Sequence, residues 1–103
     1  MKHFLIKYRL SARPEDVWRL DVARFVAALD ADPKLSGKIT YRAMKRRDGP
    51  DYYHLASAVN DEAVKALGES AFFKAYTDLI RLVAGGEVEV VPLEVIAEIA
   101  PPI

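Results

Sequence analysis

The residues best able to do acid–base chemistry are gathered around one histidine. His54 follows Tyr52 and Tyr53 and begins the run His54-Leu55-Ala56-Ser57-Ala58-Val59. An imidazole is neutral near physiological pH and can take a proton from a phenolic molecule, while tyrosines beside it orient a ring or hydrogen-bond an oxygen. The plain alternative is a histidine at a dimer face, satisfied by hydrogen bonds. Arg42 can pair with an anionic or enolate oxygen; the competing role is a solvated or interface charge. His54 and Arg42 are therefore the candidate catalytic pair. Trp18, Phe25, Tyr53, Phe72 and Tyr76 are the candidate lining of a binding pocket, since such pockets are mostly aromatic with a few polar groups. Each of these rings would equally fill a core, although Trp18 and Tyr76 carry polar atoms that need partners when buried.

Other chemistry is excluded by composition and spacing. With no cysteine, the chain has no disulfide, thiolate nucleophile, iron–sulfur cluster or cysteine-based zinc site. His3 and His54 are the only histidines. They begin antiparallel strands and stand toward opposite ends, and neither has His-x-His or Glu-x-x-His spacing, so no metal site is expected.

The elements that position these residues follow from hydrophobic periodicity. Phe4, Ile6, Tyr8 and Leu10 alternate with Leu5, Lys7 and Arg9, which predicts a strand. Ser11 and Pro14, with Glu15 and Asp16 after them, announce a helix whose apolar stripe is Trp18, Val22, Phe25 and Leu29. Asp32-Pro33 and Ser36-Gly37 close it. Ile39–Arg46 and Tyr52–Val59 flank the turn Arg47-Asp48-Gly49-Pro50-Asp51, a hairpin signal. Asn60-Asp61 caps a second helix reaching Ala84, with an interruption expected at Gly68. Gly85-Gly86 stops it. Glu87–Ile99 is β-rich and about twice the usual strand length. Pro92 inside it predicts an edge strand with a bulge or break.

Two helical crossovers around a hairpin give an α+β, ferredoxin-like βαββαβ sandwich with a four-stranded antiparallel sheet. Right-handed crossovers place the first and third strands in the centre. The chain is read as one domain, residues 1–103. Two helices cover only one face of that sheet, yet the third strand is small or apolar on both sides. A second copy of the chain is the natural cover. The long last strand is expected to reach across to the partner's sheet.

Fifteen basic residues balance fifteen acidic ones, with pI near 6.7, so no global field draws nucleic acid or an anionic membrane. The same topology serves RNA-recognition domains, but their basic-Gly-aromatic signature is absent around Tyr52–Val59. Lys45-Arg46-Arg47 reads as solvation of an edge strand. No apolar stretch approaches a membrane span or the core of a signal peptide, and a cytoplasmic protein is expected.

Two segments then carry a resemblance. Tyr53-His54-Leu55-Ala56-Ser57-Ala58-Val59-Asn60-Asp61-Glu62-Ala63, followed by Ser70-Ala71-Phe72-Phe73-Lys74-Ala75-Tyr76, resembles the antibiotic biosynthesis monooxygenase family of dimeric α/β barrels. The likeness covers most of the chain and consists mainly of core positions. It implies a homodimer with a pocket between sheet and helices. Family members include small oxygenases that use no metal or flavin and act on quinols or polyketide phenols; others degrade haem. Quinol-oxidising members tend to carry a histidine on the second helix where this chain has Leu67. An aromatic often found at the end of the third strand is replaced here by Ser57 and Ala58. The expected function is a cofactor-independent monooxygenase acting on a small aromatic or quinol-type molecule. The alternative is a non-catalytic dimeric module binding a small apolar ligand.

Overall fold

The computed structural model describes residues 1–99; the last four residues of the expected 1–103 domain lie outside it. The elements are β1 (Lys2–Arg9), α1 (Glu15–Ala31), β2 (Ile39–Lys45), β3 (Asp51–Ala58), α2 (Asp61–Glu69), α3 (Ala71–Val83) and β4 (Val88–Leu93). The four strands form one antiparallel sheet in the order β2-β3-β1-β4, the ferredoxin-like order expected from right-handed crossovers. The sheet is open, with β2 and β4 as its edges. No helix among the described residues is long and apolar enough to cross a membrane.

Register decides which side chains share a face. β1 pairs with β3 so that Tyr8 lies opposite Tyr52 and Ile6 opposite His54. β2 pairs with β3 so that Ala43 lies opposite His54 and Arg42 opposite Leu55. Phe4, Ile6, Tyr8, Tyr41, Tyr52, His54 and Ala56 therefore face the helices. The other face carries His3, Leu5, Lys7, Arg42, Tyr53 and Leu55. The α1 stripe predicted from the sequence, Trp18, Val22, Phe25 and Leu29, is buried against the first set, and Leu35 from the following loop seals the layer.

Three expectations are corrected. The helical segment breaks at Ser70, whose ψ of 127° is extended, and not at Gly68. Phase explains why a break is needed. Leu67 and Tyr76, both buried, are nine residues apart, and at roughly 100° per residue an unbroken helix would put them half a turn apart. The break at Ser70 returns both to the core. Asn60 caps α2 as expected, its Oδ1 accepting from the Ala63 N–H at 2.9 Å.

The last strand ends at Leu93, and residues 94–99 have no regular structure. Leu93 pairs with His3, so β1 has nearly run out of residues to offer. Pro92 lies opposite Phe4 in an unbroken register, without the expected bulge. An edge strand tolerates this because alternate N–H groups face away from the sheet.

The link from β1 to α1 is tied to the end of α3: the Ser11 and Ala12 N–H groups donate to the Val83 carbonyl at 2.8 and 3.0 Å. Gly85, which follows, has φ of +73°, and a Cβ there would stand 3.0 Å from Ser11 Oγ. Gly85→Ala should therefore lower stability by about 1–2 kcal/mol. Gly68→Ala, within α2 and with nothing within 4 Å of the new Cβ, should raise it by about 0.5–1 kcal/mol. Urea unfolding midpoints of the two variants check both signs.

Candidate functional site

His54 is fully buried on the helix side of β3, where register sets it between strands β1 and β2. It is satisfied by hydrogen bonds, but within the layer between sheet and helices and not at an outer face. Tyr8 Oη lies 2.8 Å from its Nε2, and Tyr41 Oη lies 2.6 Å from its Nδ1. Tyr76 Oη is 3.3 Å from Nδ1 and close to Tyr41 Oη. Trp18 Nε1–H donates to Tyr8 Oη at 2.8 Å. The rings pack as tightly as the polar atoms pair: Phe25 stacks on Tyr76 with centroids 3.6 Å apart, and Trp18 stacks on the same ring at 6.1 Å.

The direction of these bonds can be assigned from the chemistry of the groups. An indole N–H only donates, so Tyr8 accepts from Trp18. If Tyr8 also accepted from Nε2–H, its own hydroxyl hydrogen would be buried without an acceptor, at a cost of about 1–3 kcal/mol. Tyr8 therefore donates to Nε2, the imidazole proton sits on Nδ1, and Nδ1–H donates to Tyr41 Oη. Tyr76 Oη, at 3.3 Å, makes the longer contact to the same nitrogen. The chain then ends at the Tyr41 hydroxyl hydrogen. A phenol that accepts from a polarised N–H is a strengthened donor.

Burial sets the ionisation of the cluster. Desolvation lowers the His54 pKa from 6.5 to about 4, which keeps it neutral, with one donor and one acceptor nitrogen. Burial also pushes the Tyr8, Tyr41 and Tyr76 phenols above their ordinary range. The imidazole itself is closed to solvent, whereas its Nδ1 partner Tyr41 is only half-buried.

Tyr41 stands where the buried layer opens. A cleft of about 920 Å³ lies between α1 and the edge strand β2, lined by Ala23, Val26 and Ala27 on one side and by Tyr41, Ala43 and Lys45 on the other, with Tyr52 and His54 of β3 behind. The Tyr52 hydroxyl has no protein partner among the described residues. At the mouth, Glu15 links α1 to β2, accepting from Arg19 at 2.8 Å and pairing with Lys45 at 3.9 Å. These half-exposed pairs contribute little to stability, at most about 1 kcal/mol each.

The sequence-predicted residues thus divide. His54, Trp18, Tyr76 and Phe25 come together in one cluster, and Phe72 packs at its edge, 5.8 Å from Phe25. Tyr53 and Arg42 do not join them, because both pair with residues of the opposite face; Arg42 reaches only the rim of the cleft. His3 is also on that opposite face, its Nδ1 2.7 Å from Ser57 Oγ, so the sheet separates the two histidines. Tyr8 and Tyr41, which make the shortest contacts to His54, were missed as site residues. The signal was present in parity: Tyr8 continues the Phe4–Ile6 face, and Tyr41 is two residues from the partner of His54.

Leu67 lines a different, apolar cavity of about 300 Å³ between the sheet and α2–α3, with Phe4, Ala56, Val64, Phe73 and Ile80 among its walls. Leu67 therefore opens on a space separate from the His54 cleft.

No protein-family model matches the chain, and no curated protein matches it in sequence. Solved structures do match in shape. An antibiotic biosynthesis monooxygenase superposes with a TM-score of 0.72 at 14% identity, over 94% of this chain and 100% of that one. SnoaB, a cofactor-independent oxygenase from Streptomyces nogalater, gives a TM-score of 0.76 at 15% identity, over 97% of each chain. This chain shares the fold of these two structures. A dimeric ferredoxin-like protein of unknown function from Jannaschia shares that fold with a TM-score of 0.63 at 19% identity, over 90% of this chain and 99% of that one.

The buried imidazole has a consequence for pH. Its folded-state pKa lies below the unfolded value, so the stability it contributes is complete above about pH 6.5 and is lost as pH falls toward 4. The loss should approach about 3 kcal/mol and then level off. His54→Phe, if folded, should flatten this part of the stability–pH curve, and NMR titration of the wild-type ring should show it neutral down to the same pH.

Proposed function

We propose that this chain acts as a homodimeric, cofactor-independent monooxygenase on a small aromatic or quinol-type molecule held in the cleft between α1 and β2. The observation that carries this reading is the relay from Trp18 through Tyr8 and His54, which ends in a Tyr41 hydroxyl donor on the cleft, in a fold shared with a cofactor-independent oxygenase. A ligand oxygen facing Tyr41 is stabilised as phenolate or enolate, because a hydrogen bond to an ionised acceptor is roughly twice as strong as a neutral one. Arg19 and Lys45 at the mouth favour the same charge. The substrate proton leaves to solvent through the open cleft. The anion passes an electron to dioxygen, and the two radicals recombine as a peroxide anion with a new carbon–oxygen bond. Protonation of that peroxide from solvent and loss of water leave one oxygen atom in the product. His54 is a positioning residue in this scheme, and Trp18 and Tyr76 hold it. Phe25 and Phe72 shape the aromatic wall behind Tyr41. Tyr53 and Arg42 belong to the face proposed to meet the partner.

Metal-free protein should consume oxygen with at least one member of a quinol and phenol panel. Tyr41→Phe should then lower kcat/KM by about 10²-fold. A flat oxygen-electrode trace across the panel would sink the enzyme reading.

The apolar cavity at Leu67 favours a second reading, a non-catalytic module that binds a small apolar ligand. Saturable binding of such a ligand without oxygen uptake, abolished by Leu67→Trp, would support it.

Both readings include the dimer. Leu5 and Leu55 sit half-buried on the sheet face that no helix covers, with Met44 and Leu93 exposed on the same face. A second copy facing this surface agrees with the dimeric Jannaschia protein. Leu55→Arg should shift the sedimentation coefficient from dimer to monomer; an unchanged value would place the interface elsewhere.

A further inference from the structure

We infer that Tyr8 is a redox-active tyrosine, oxidised to a neutral phenoxyl radical while His54 and Tyr41 conduct its proton to the cleft. The inference stands on the hydrogen-bond chain and needs no substrate of the proposed monooxygenase.

A buried phenol can lose an electron only if its proton has somewhere to go, since a phenol radical cation in a desolvated site is far costlier than a neutral phenoxyl. Tyr8 has that outlet in the 2.8 Å bond from its hydroxyl to His54 Nε2. The outlet would fail if the imidazole had to remain doubly protonated, because burial disfavours the imidazolium. The second nitrogen removes that obstacle. As Nε2 gains the Tyr8 proton, Nδ1 releases its own along the 2.6 Å bond to Tyr41 Oη, and Tyr41 passes its hydroxyl proton to an oxygen base in the cleft. One O–H bond breaks at Tyr8, one N–H bond forms at Nε2, and the imidazole ends neutral with its tautomer exchanged. The phenoxyl oxygen keeps two donors, Trp18 Nε1–H at 2.8 Å and the new Nε2–H.

The electron has a route in the same direction. Tyr8 is stacked on Tyr52, with centroids 5.4 Å apart and an interplanar angle of 12°, and Tyr52 lines the cleft. The oxidant is an organic peroxyl radical in the cleft. It takes the electron through Tyr52 and the proton from Tyr41 and leaves as the hydroperoxide, so the sum is one hydrogen atom moved from Tyr8 to the peroxyl oxygen. The pair thus withdraws a damaging radical from the cleft into a ring that solvent does not reach, Tyr8 being 5% exposed.

Flash-generated ruthenium(III) tris-bipyridine, a one-electron oxidant, tests this on the wild-type protein, with the radical followed by transient absorption and high-field EPR. A neutral phenoxyl radical should form, more slowly in deuterium oxide. Deuterium ENDOR should resolve two exchangeable hydrogen bonds of fixed geometry to the phenoxyl oxygen. Tyr8→Phe should remove this signal, and Tyr53→Phe, on the opposite face, should leave it. A radical that persists unchanged in folded Tyr8→Phe would overturn the inference. So would a wild-type radical with the broad spread of water hydrogen bonds expected of Tyr53, a reading that holds even where Tyr8→Phe does not fold. An inactive quinol panel alongside a normal phenoxyl signal would count against the monooxygenase and leave this site standing.

Discussion

A donor with no lone pair to offer organises the interior of this protein. Trp18 is fully buried, and its single N–H must find an acceptor. The nearest is the Tyr8 hydroxyl, and that choice orders every polar group behind it: Tyr8 toward the imidazole, the imidazole toward Tyr41, and Tyr41 toward the open cleft. The aromatic packing serves the same end. Tyr76 is held between Trp18 and Phe25, so the polar chain is enclosed by rings that exclude water. Exclusion of water keeps the histidine neutral, and neutrality lets it accept on one nitrogen while donating on the other.

Much of the architecture was legible from periodicity. The strand order, the hairpin, the α1 stripe and the Asn60 cap each followed from a local rule, and those rules agree with one another. The failures have a common cause, which is that they depend on phase or partner length. Glu87–Ile99 reads as one long strand because its residues suit a strand, but a strand extends only as far as its neighbour, and β1 stops it near Leu93. Gly68 looked like the weak point of the second helical segment, but glycine is merely permissive. The need to bring Leu67 and Tyr76 to the same side requires a break between them, and the chain makes it at Ser70.

The candidate site was legible in part for the same reason. His54 stood out by residue type, and Trp18, Phe25 and Tyr76 by helical spacing. Their assembly into one cluster required only that the helices pack on one face. Tyr53 was drawn in by nearness to His54 along the chain, yet adjacent strand residues point to opposite faces. Arg42 was drawn in by its charge alone, and register sets it opposite Leu55 on the other face. Tyr8 and Tyr41 needed the register of two strand pairs before they could be placed on His54. The resemblance to the monooxygenases drew attention to Leu67, which belongs to a second, apolar space. The fold thus holds two compartments under one helical layer, one ending in oriented hydroxyls and one almost free of polar groups.

The break between α2 and α3 bears on how this chain can vary in length. A residue gained or lost in the first turn of α3, ahead of Tyr76, would turn Tyr76 by roughly 100° about the helix axis. Tyr76 would leave the space between Trp18 and Phe25, although every residue of the helix stayed helical. An equal change in the exposed hairpin loop at Asp48–Gly49 would alter only a turn. The stretch of α3 ahead of Tyr76 therefore behaves as a counted spacer, and the chemistry beneath it depends on an integer as much as on any side chain.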